Sequence, residues 1–537
     1  MRRFLLILLL LLPALTSGAL GLSPLYTDGM VLQRGVPLDI HGTADAGEVV
    51  TVSLDKEKHK VTAGCDGKWS VLLAPRKAQT GLRLDISTKS RKLSFRDVAV
   101  GEVWLCSGQS NMEFMLRQSL GAEEAVAAAA DPDLRFYDMK ARWRTDDVAW
   151  PASALDSVDN LDYFKETVWT ASTPSSAADF SAVAYWFGRR LRDSLKVPVG
   201  LICNAVGGAT CESWIDRATL EAEFPKILEN WLSNDLIQDW ARGRARKNIE
   251  NRTGTSDRHP YQPCYLFESG IIPLDHYQLK GVIWYQGESN AHNCSAHEKL
   301  FGLLVDSWRT FWEQPQMPFY YVQLSSLNRP SWPWFRDSQR RLLTAREGLG
   351  MVVTSDLGDP YDVHYKDKKP VGLRLAALAL HDVYGFENVV PSGPLFRQAV
   401  ADGKRVIVSF DYADRLHGTE MPGQAGHDER TLRAERGSGG AATVLSGQAP
   451  STARKGSGCA EESPQLIGFE VAEYDGLFYP ASAEIVGETV VLTAPEVQHP
   501  HYVRYGWEPY TRANLYNGAG LPASTFRTEI INNQNKR

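Results

Sequence analysis

The sequence has few cysteines, no block of charge of one sign and no long apolar run beyond its N-terminus. Seven cysteines among 537 residues are too sparse for a disulfide scaffold, and the odd number leaves at least one thiol unpaired. No segment after residue 19 approaches the roughly 18 apolar residues of a membrane span. The net charge of -6 is spread along the chain, which is atypical of nucleic-acid binding. We expect a soluble protein without a nucleic-acid partner.

Several common catalytic and cofactor motifs are also missing. The chain has no Gly-x-Ser-x-Gly, no P-loop and no His-Glu-x-x-His. These motifs are typical of one class of serine hydrolases, of phosphate-binding sites and of zinc-dependent hydrolases, respectively, and the sequence supports none of the three. Cys294 lies near His292 and His297, but the spacing matches no zinc pattern. We therefore expect neither a metal ion nor an organic cofactor.

What is present is typical of a globular protein with more than one domain. Apolar residues make up 43%, charged residues 23% and aromatic residues 10% of the sequence, which are ordinary values. A chain of 537 residues exceeds the roughly 250–300 residues at which a single core stops growing. Two or more domains are therefore expected.

Residues 1–19 have the features of a secretory signal peptide. Arg2 and Arg3 precede an apolar run at residues 4–12, and small residues follow at 16–19. The run is about half as long as a bilayer span, and this order of segments favours cleavage near Gly18 or Ala19. No cysteine lies near the cleavage point, which argues against a lipid anchor. We expect export to the periplasm or the extracellular space, with no membrane association after cleavage.

The mature chain divides into three regions by pattern. Residues 20–97 show short alternating runs separated by Gly and Asp turns, which predicts a β-sandwich. Residues 98–395 alternate apolar strands with amphipathic helices, which predicts a parallel sheet with helices on both faces. Residues 396–537 are β-rich, with a flexible insertion near 417–459 that is poor in apolar residues. The predicted fold class is α/β with additional β regions at both ends.

Ser110 is the first candidate catalytic residue. It follows the predicted strand 98–106 and precedes a helix-like stretch at 111–120. At a helix N-terminus the backbone N–H groups favour developing negative charge, as an attacking alkoxide requires. A serine that only caps the helix would show the same pattern.

Two further strand ends carry hydrogen-bond donors, at the edge where parallel sheets bind ligands. Gly207 and Gly208 follow the predicted strand 199–203, and a glycine lets a backbone N–H approach a substrate oxygen. Gln286 and Glu288 follow the strand 279–285 as an oxyanion donor and its orienting partner would. The alternative interpretation of the two glycines is an ordinary turn. The alternative for the segment after Gln286 is a helix cap.

His364 is the candidate general base. It lies in the acidic loop 356–364 after a predicted strand. An acyl-transfer serine needs a base within hydrogen-bond reach, and an acceptor that fixes the tautomer improves that base. Asp362 and Asp359 are both close enough in sequence to be the acceptor, and a backbone carbonyl could serve as well. A surface histidine without catalytic function is the alternative.

Taken together, these blocks resemble the sialate O-acetylesterases of the SGNH-hydrolase superfamily. The likeness extends over about residues 22–525, and its matching blocks lie at residues 101–112, 207–214, 283–291 and 356–375, with a similar ending at 503–507 and 520–524. The resemblance implies an SGNH-hydrolase-like three-layer α/β/α fold with a parallel sheet. It also implies a serine esterase that needs no cofactor.

Carried over position by position, the resemblance assigns roles to particular residues. Ser110 is the nucleophile and His364 the base. The oxyanion donors are the Ser110 N–H, a glycine of the pair at 207–208 and Gln286.

In the same resemblance, Glu288 and Asn290 are supporting residues of the oxyanion site. The superfamily often has an aspartate three residues before the histidine, where this chain has Tyr361. A Ser-His dyad therefore stays open, as does a triad that uses Asp362 or Asp359.

The resemblance also suggests a substrate, 9-O-acetyl sialic acid. Its carboxylate would need an arginine such as Arg504 or Arg512, and Trp332 or Trp334 could stack on a sugar face. Esterases of acetylated xylan or of another polysaccharide share this chemistry, so that substrate class stays open. A carbohydrate-binding protein without activity is a further alternative, and the sequence does not indicate an oligomeric state.

Overall fold

The computed structural model describes residues 20–419 and 464–532. The predicted signal peptide and most of the predicted insertion lie outside these ranges. The chain forms two compact units, the first comprising Met1–Tyr321 with Lys368–Ala376 and the second Val322–Asp367 with Ala377–Arg537. The domain boundaries predicted at residues 97 and 395 stay predictions.

The first unit begins with two small β-sheets. Their strands are β1 (Gly21–Leu22), β2 (Val31–Gln33), β3 (Leu38–Thr43), β4 (Val49–Leu54), β5 (Glu57–Thr62), β6 (Lys68–Leu73), β7 (Gln79–Ser87) and β8 (Lys92–Gly108). One sheet has the order β1-β3-β6, and in the other β4 pairs with β5 and β7, while β8 pairs with β7 and β2. Burial alternates along β6, as expected for a strand with one face in the core.

Strand β8 is shared by two sheet regions. Its first part pairs with β7, from Lys92 opposite Ser87 to Val100 opposite Gln79. Its last part, which is completely buried, enters the parallel sheet of the first unit. The predicted boundary at residue 97 therefore falls inside a continuous strand.

The rest of the first unit alternates helices and strands. The elements are α1 (Ser110–Glu113), α2 (Ala122–Ala127), β9 (Asp131–Asp138), α3 (Ala152–Asp159), β10 (Thr170–Ser172), α4 (Pro174–Ala178), α5 (Ala182–Leu195), β11 (Val199–Cys203), α6 (Arg217–Glu223), α7 (Asp239–Asn248), β12 (Gly281–Tyr285), α8 (Cys294–Phe311) and β13 (Phe319–Val322). The sheet order is β10-β9-β11-β8-β12-β13. All its pairs are parallel except that of β10 with β9. The prediction of a mixed α/β fold is confirmed.

The register of this sheet brings three strand ends together. Cys203 at the end of β11 lies opposite Cys106 of β8, and Tyr285 at the end of β12 lies opposite Gly108. Because these strands are parallel, the segments that follow them leave from the same edge. The loops that contain Ser110, Gly207 and Gln286 therefore start side by side.

The helix predicted at residues 111–120 is much shorter than expected. Helix α1 ends at Glu113, since Phe114 has an extended backbone with ψ of 119°. A single 3-10 turn follows at Leu116–Gln118. One helical turn has only a small macrodipole, so individual N–H groups matter more than the helix as a whole.

The second unit contains the remaining elements. They are α9 (Trp332–Leu342), β14 (Leu349–Val352), the helix α10 (Lys369–Asp382), whose first half belongs to the first unit, and the strands β15 (Leu395–Asp402), β16 (Arg405–Asp411), β17 (His417–Gly418), β18 (Phe469–Ala472), β19 (Phe478–Pro480), β20 (Ser482–Val486), β21 (Thr489–Thr493), β22 (Tyr502–Tyr505), β23 (Leu515–Tyr516), β24 (Phe526–Glu529) and β25 (Ile531–Asn532). The sheets have the orders β20-β21-β16-β15-β25, β19-β18-β22-β24 and β17-β23. Their inner faces share one apolar core that includes Val408, Val503 and Phe526.

Helix α9 starts at Trp332 and has Pro333 in its first turn. Proline is well tolerated there because its missing N–H needs no intrahelical partner. Across the described ranges, no helix is both long and apolar enough to cross a membrane.

Candidate active site

Ser110 lies in a tight turn that is fixed to the neighbouring strand β12. The Gln109 N–H donates to the Tyr285 carbonyl at 3.0 Å. Gly108 has φ of 136°, and a Cβ at this position would collide with the same carbonyl. A glycine is therefore required at residue 108. Ser110 follows as the first residue of α1 and is half-buried.

The Gln109 side chain is a functional candidate that the sequence interpretation missed. Its Oε1 atom accepts hydrogen bonds from the Gly287 and Ser289 N–H groups, both at 3.4 Å. Because two backbone donors fix the oxygen, the Nε2 group is turned away from them. That group has no acceptor within residues 20–419 and 464–532. The only signal in the sequence was its position directly before Ser110.

The glycine pair adjoins Ser110, as the sequence interpretation expected of an oxyanion loop. A Cβ placed on Gly207 would lie 3.8 Å from the Ser110 Cβ. Gly208 has φ of 73°, and a Cβ there would collide with the Tyr261 hydroxyl. That hydroxyl lies 2.8 Å from the Gly207 carbonyl and 2.6 Å from Thr145 Oγ1. The Gly207–Gly208 peptide is thus held in one orientation.

Glu113 is an additional carboxylate beside the glycine pair. A Cβ on Gly207 would lie 3.1 Å from its Oε2 atom. Burial raises the pKa of Glu113, while the Gly207 N–H and the Arg144 charge oppose this rise. The Gly208 N–H has no acceptor in the part of the chain that the structure describes. It is therefore the more available of the two glycine donors.

Gln286 is connected to a buried chain of polar side chains. Its Nε2 group donates to Asn290 Oδ1 at 2.6 Å and to the Ala209 carbonyl at 3.3 Å. Asn290 Nδ2 donates in turn to Glu212 Oε2 at 2.9 Å. Glu212 is completely buried, and this burial raises its pKa. The structure thus places Asn290 beside Gln286, and Glu212 behind Asn290.

Glu288 belongs to a second buried network. Its Oε1 atom accepts a hydrogen bond from Asn111 Nδ2 at 2.5 Å, and Asn111 Oδ1 accepts one from Lys368 Nζ at 2.6 Å. Lys368 is completely buried, and its ammonium group lies over the rings of Phe114 and Tyr285 at 5.0 and 5.8 Å. A cation and a carboxylate therefore flank the residue that follows Ser110.

His364 lies in the second unit, in a loop after β14. Its ring is 44% exposed, and the Nδ1 atom is 3.9 Å from Asp362 Oδ1, which is longer than a hydrogen bond. Asp362 Oδ1 instead accepts the His364 backbone N–H at 2.8 Å. Asp359 Oδ1 accepts the backbone N–H groups of Tyr361 and Asp362. The roles of His364 and Asp362 stay predictions.

The four substrate-binding candidates from the sequence lie in the second unit. Arg504 forms a bidentate ion pair with Glu470, at 2.7 and 2.8 Å, so its guanidinium group already binds a carboxylate, whereas Arg512 is exposed. Trp332 does not present a ring for stacking on a sugar: it is 2% exposed, and its indole N–H donates to the Ser325 carbonyl at 2.9 Å. Trp334 is 49% exposed.

The cysteines and acidic residues of the site show no arrangement for a metal. Across the described residues, no group of three or more His, Cys, Asp or Glu side chains is placed to hold an ion. Cys106, Cys203, Cys211 and Cys264 are buried thiols, and burial raises their pKa values.

The first unit therefore presents a serine, glycine N–H groups and carboxamides at one edge of a parallel sheet, which is typical of acyl-transfer hydrolases. The family profile described as "Carbohydrate esterase, sialic acid-specific acetylesterase" matches residues 100–381. The sialate O-acetylesterase of Rattus norvegicus is 30% identical over 437 residues, covering 73% of this chain and 79% of the relative. The Homo sapiens enzyme is 30% identical over 431 residues, covering 72% and 75%.

A solved structure is similar along almost the whole chain. It is a carbohydrate acetylesterase from Xanthomonas citri, 31% identical, with a TM-score of 0.73 and coverage of 95% of this chain and 99% of that one. The chain belongs to the sialic acid-specific acetylesterase family of carbohydrate esterases. It is accordingly a carboxylic ester hydrolase.

Proposed function

We propose that this protein hydrolyses O-acetyl esters of sialic acids through an acetyl-serine intermediate on Ser110. The main support is the position of Ser110 beside the Gly207–Gly208 loop at the carboxyl edge of the parallel sheet. The names of the sequence relatives support the sialate as the first substrate to test.

The proposed reaction has two steps. Ser110 Oγ attacks the acetyl carbonyl while His364 takes the hydroxyl proton. The sugar oxygen leaves with that proton, and the acetyl group stays on Ser110. Water, deprotonated by the same histidine, then attacks the acetyl-serine; acetate is released as the bond to Ser110 Oγ breaks, and the histidine returns the proton to that oxygen. The assignment of His364 depends on the sequence resemblance.

The oxyanion of each step needs N–H donors at the position where the charge develops. We assign the Ser110 N–H and the Gly208 N–H to this role, because the Gly207 N–H faces Glu113. The sequence indicated Gln286 as an amide donor, but both hydrogens of its Nε2 group are donated to Asn290 and to the Ala209 carbonyl, so we assign it the role of fixing the loop after Gly208. The fixed orientation of the Gln109 amide, with its Nε2 group turned away from β12, makes Gln109 an amide donor.

An esterase of acetylated polysaccharide is the second candidate. The Xanthomonas citri relative is named only as a carbohydrate acetylesterase, and the proposed chemistry would be the same. Release of acetate from O-acetylated sialic acid or from acetylated xylan distinguishes the two substrates. We also propose that the protein acts after export, on the basis of the features of residues 1–19.

The proposal is tested by acetate release from 9-O-acetyl-N-acetylneuraminic acid and from acetylated xylan. Ser110→Ala and His364→Ala are compared with the wild type, and each should lose at least about a thousand-fold in kcat. His381→Ala is a matched control, because His381 also lies beside an aspartate and its side chain is 36% exposed. This control should retain activity.

The outcomes separate the parts of the proposal. Activity that survives in Ser110→Ala would rule out this nucleophile. A preference for xylan would keep the mechanism and replace the substrate. A wild type that binds either glycan and releases no acetate would instead support a carbohydrate-binding protein.

A further inference from the structure

A half-exposed tryptophan adjoins the glycine loop of the candidate site. Trp240 is the second residue of α7, and 46% of its surface is exposed. A Cβ placed on Gly208 would lie 2.6 Å from the Trp240 ring atom Cη2. The Gly208 backbone therefore lies close to the half-exposed indole of Trp240 within the first unit.

The indole is held in one orientation by its neighbours. The Tyr261 ring lies 5.9 Å from it at an angle of 33°. The guanidinium of Arg244, one helical turn later, lies 5.4 Å from the ring centroid. Arg244 also donates to the Thr145 carbonyl at 2.8 Å, and Tyr261 bonds to both Thr145 and Gly207. The same side chains therefore fix the indole and the glycine loop.

The exposed part of Trp240 is a large apolar surface that a ligand could cover. Its rigid, flat surface is suited to ligands that present an apolar face, because few rotamers are lost on binding. A pyranose ring has such a face, formed by its C–H groups.

We propose that Trp240 forms a sugar-binding subsite and stacks on the pyranose ring of the sugar that carries the acetyl ester. The proposal rests on the proposed function, because it places the acetyl ester at Ser110, beside the Gly207–Gly208 loop. It assigns contact with the sugar ring, as distinct from the acetyl group, to a side chain of the first unit. Arg244 and Tyr261 act as positioning residues that hold the indole.

The test compares a sugar ester with a small ester that lacks a sugar. Trp240→Ala should raise KM for 9-O-acetyl-N-acetylneuraminic acid or for acetylated xylo-oligosaccharide by roughly five- to ten-fold, as expected for the loss of one aromatic contact. Its kcat/KM for 4-nitrophenyl acetate should stay within about two-fold. Trp240→Phe keeps a flat ring and should restore most of the affinity.

Tyr474→Ala is the control, because Tyr474 is an aromatic residue that is 81% exposed and lies in the second unit. It should leave both substrates unaffected. An equal loss by Trp240→Ala on both substrates would overturn the proposal, since it would indicate a structural effect on the Gly208 loop. An unchanged KM for the sugar ester would also overturn it.

Direct binding separates this inference from the proposed function. Ser110→Ala protein, with and without Trp240→Ala, is titrated with the same sugar esters by calorimetry. Weaker binding in the double variant supports the subsite even if the wild type proves inactive on both esters, a result that would contradict only the esterase proposal. Equal binding by the two proteins would rule out the subsite.

Discussion

Gln286 Nε2 donates to Asn290 Oδ1 at 2.6 Å, and this bond determines which way the Gln286 amide faces. Asn290 has no freedom to turn, because its Nδ2 group donates to Glu212 and its Oδ1 atom also accepts the Cys211 N–H at 2.9 Å. The buried acceptor at Glu212 thus sets the orientation of Asn290, which in turn sets that of Gln286. Because Gln286 Nε2 also donates to the Ala209 carbonyl, this network fixes the backbone that follows the Gly207–Gly208 pair, whose N–H groups must be oriented before the reaction.

We predict that Asn290→Ala lowers kcat for acetate release by on the order of a hundred-fold while KM changes little. Loss of Asn290 would leave the Gln286 amide free to rotate. Glu212→Gln still offers an amide oxygen to Asn290 Nδ2 and should retain most of the activity. Steady-state kinetics on an acetylated sugar measures both effects.

Asn293→Ala is the control for that experiment. Asn293 caps α8 by accepting the Ala296 N–H, so its loss should cost about 1 kcal/mol of stability and leave kcat unchanged. If kcat fell equally in Asn290→Ala and Asn293→Ala, the effect would be a general loosening of the loop.

The second prediction concerns the buried cation Lys368. Lys368→Met removes the positive charge and leaves Glu288 and Asn111 buried without it. Removing one partner from a buried arrangement of charged groups typically costs about 3–5 kcal/mol of stability. The free energy of unfolding in urea should therefore fall by that amount. Lys366→Met, at a nearby exposed position, should have an effect near zero, and a similar loss in both variants would contradict this account.

The sequence predicted regular elements well where the apolar pattern was strong. The bounds of β11 agree with the predicted range 199–203, since a wholly buried strand forms a short continuous apolar run. The predicted helix after Ser110 was too long, because the pattern does not show that Phe114 takes an extended conformation.

The polar networks could not be predicted in the same way. Lys368 and Glu212 occur in polar stretches and are nevertheless completely buried. The sequence offered both Glu288 and Asn290 as neighbours of Gln286, and only side-chain directions show that Asn290 makes the contact. The bonds of Asn290 to Glu212 and of Lys368 to Asn111 join residues that lie 78 and 257 positions apart, which periodicity does not reveal.

The third prediction concerns the backbone at Gly108. Gly108→Ala would place a Cβ against the Tyr285 carbonyl at a φ of 136°, and neither strand can move without breaking the sheet. We expect a loss of roughly 3 kcal/mol or more in the free energy of unfolding. Gly35→Ala is the control, with φ of 76° and open space around the Cβ, and it should cost only about 1–2 kcal/mol. Chemical denaturation of both variants measures the difference, and equal losses would mean that the close approach at Gly108 is easily relieved.

The last prediction is a loss of stability in mild acid. His297 is 1% exposed, and burial lowers its pKa to about 3, whereas an unfolded histidine titrates near pH 6.5. At a pH between these two pKa values, His297 is therefore protonated in the unfolded chain and neutral in the folded chain. This contribution to stability is present above about pH 6.5 and is lost as the pH falls towards 3. Between pH 7 and 5 the loss amounts to about 2 kcal/mol.

His297→Leu should remove this part of the pH dependence, so its urea midpoint should fall less between pH 7 and 5 than that of the wild type. His59→Gln is the control, because the His59 side chain is 46% exposed and should leave the decline unchanged. Burial also lowers the pKa of His259. The part of the decline in stability that comes from His259 is present in both variants. A decline in His297→Leu as steep as in the wild type would mean that His297 takes up its proton within the folded protein and that its burial does not keep it neutral.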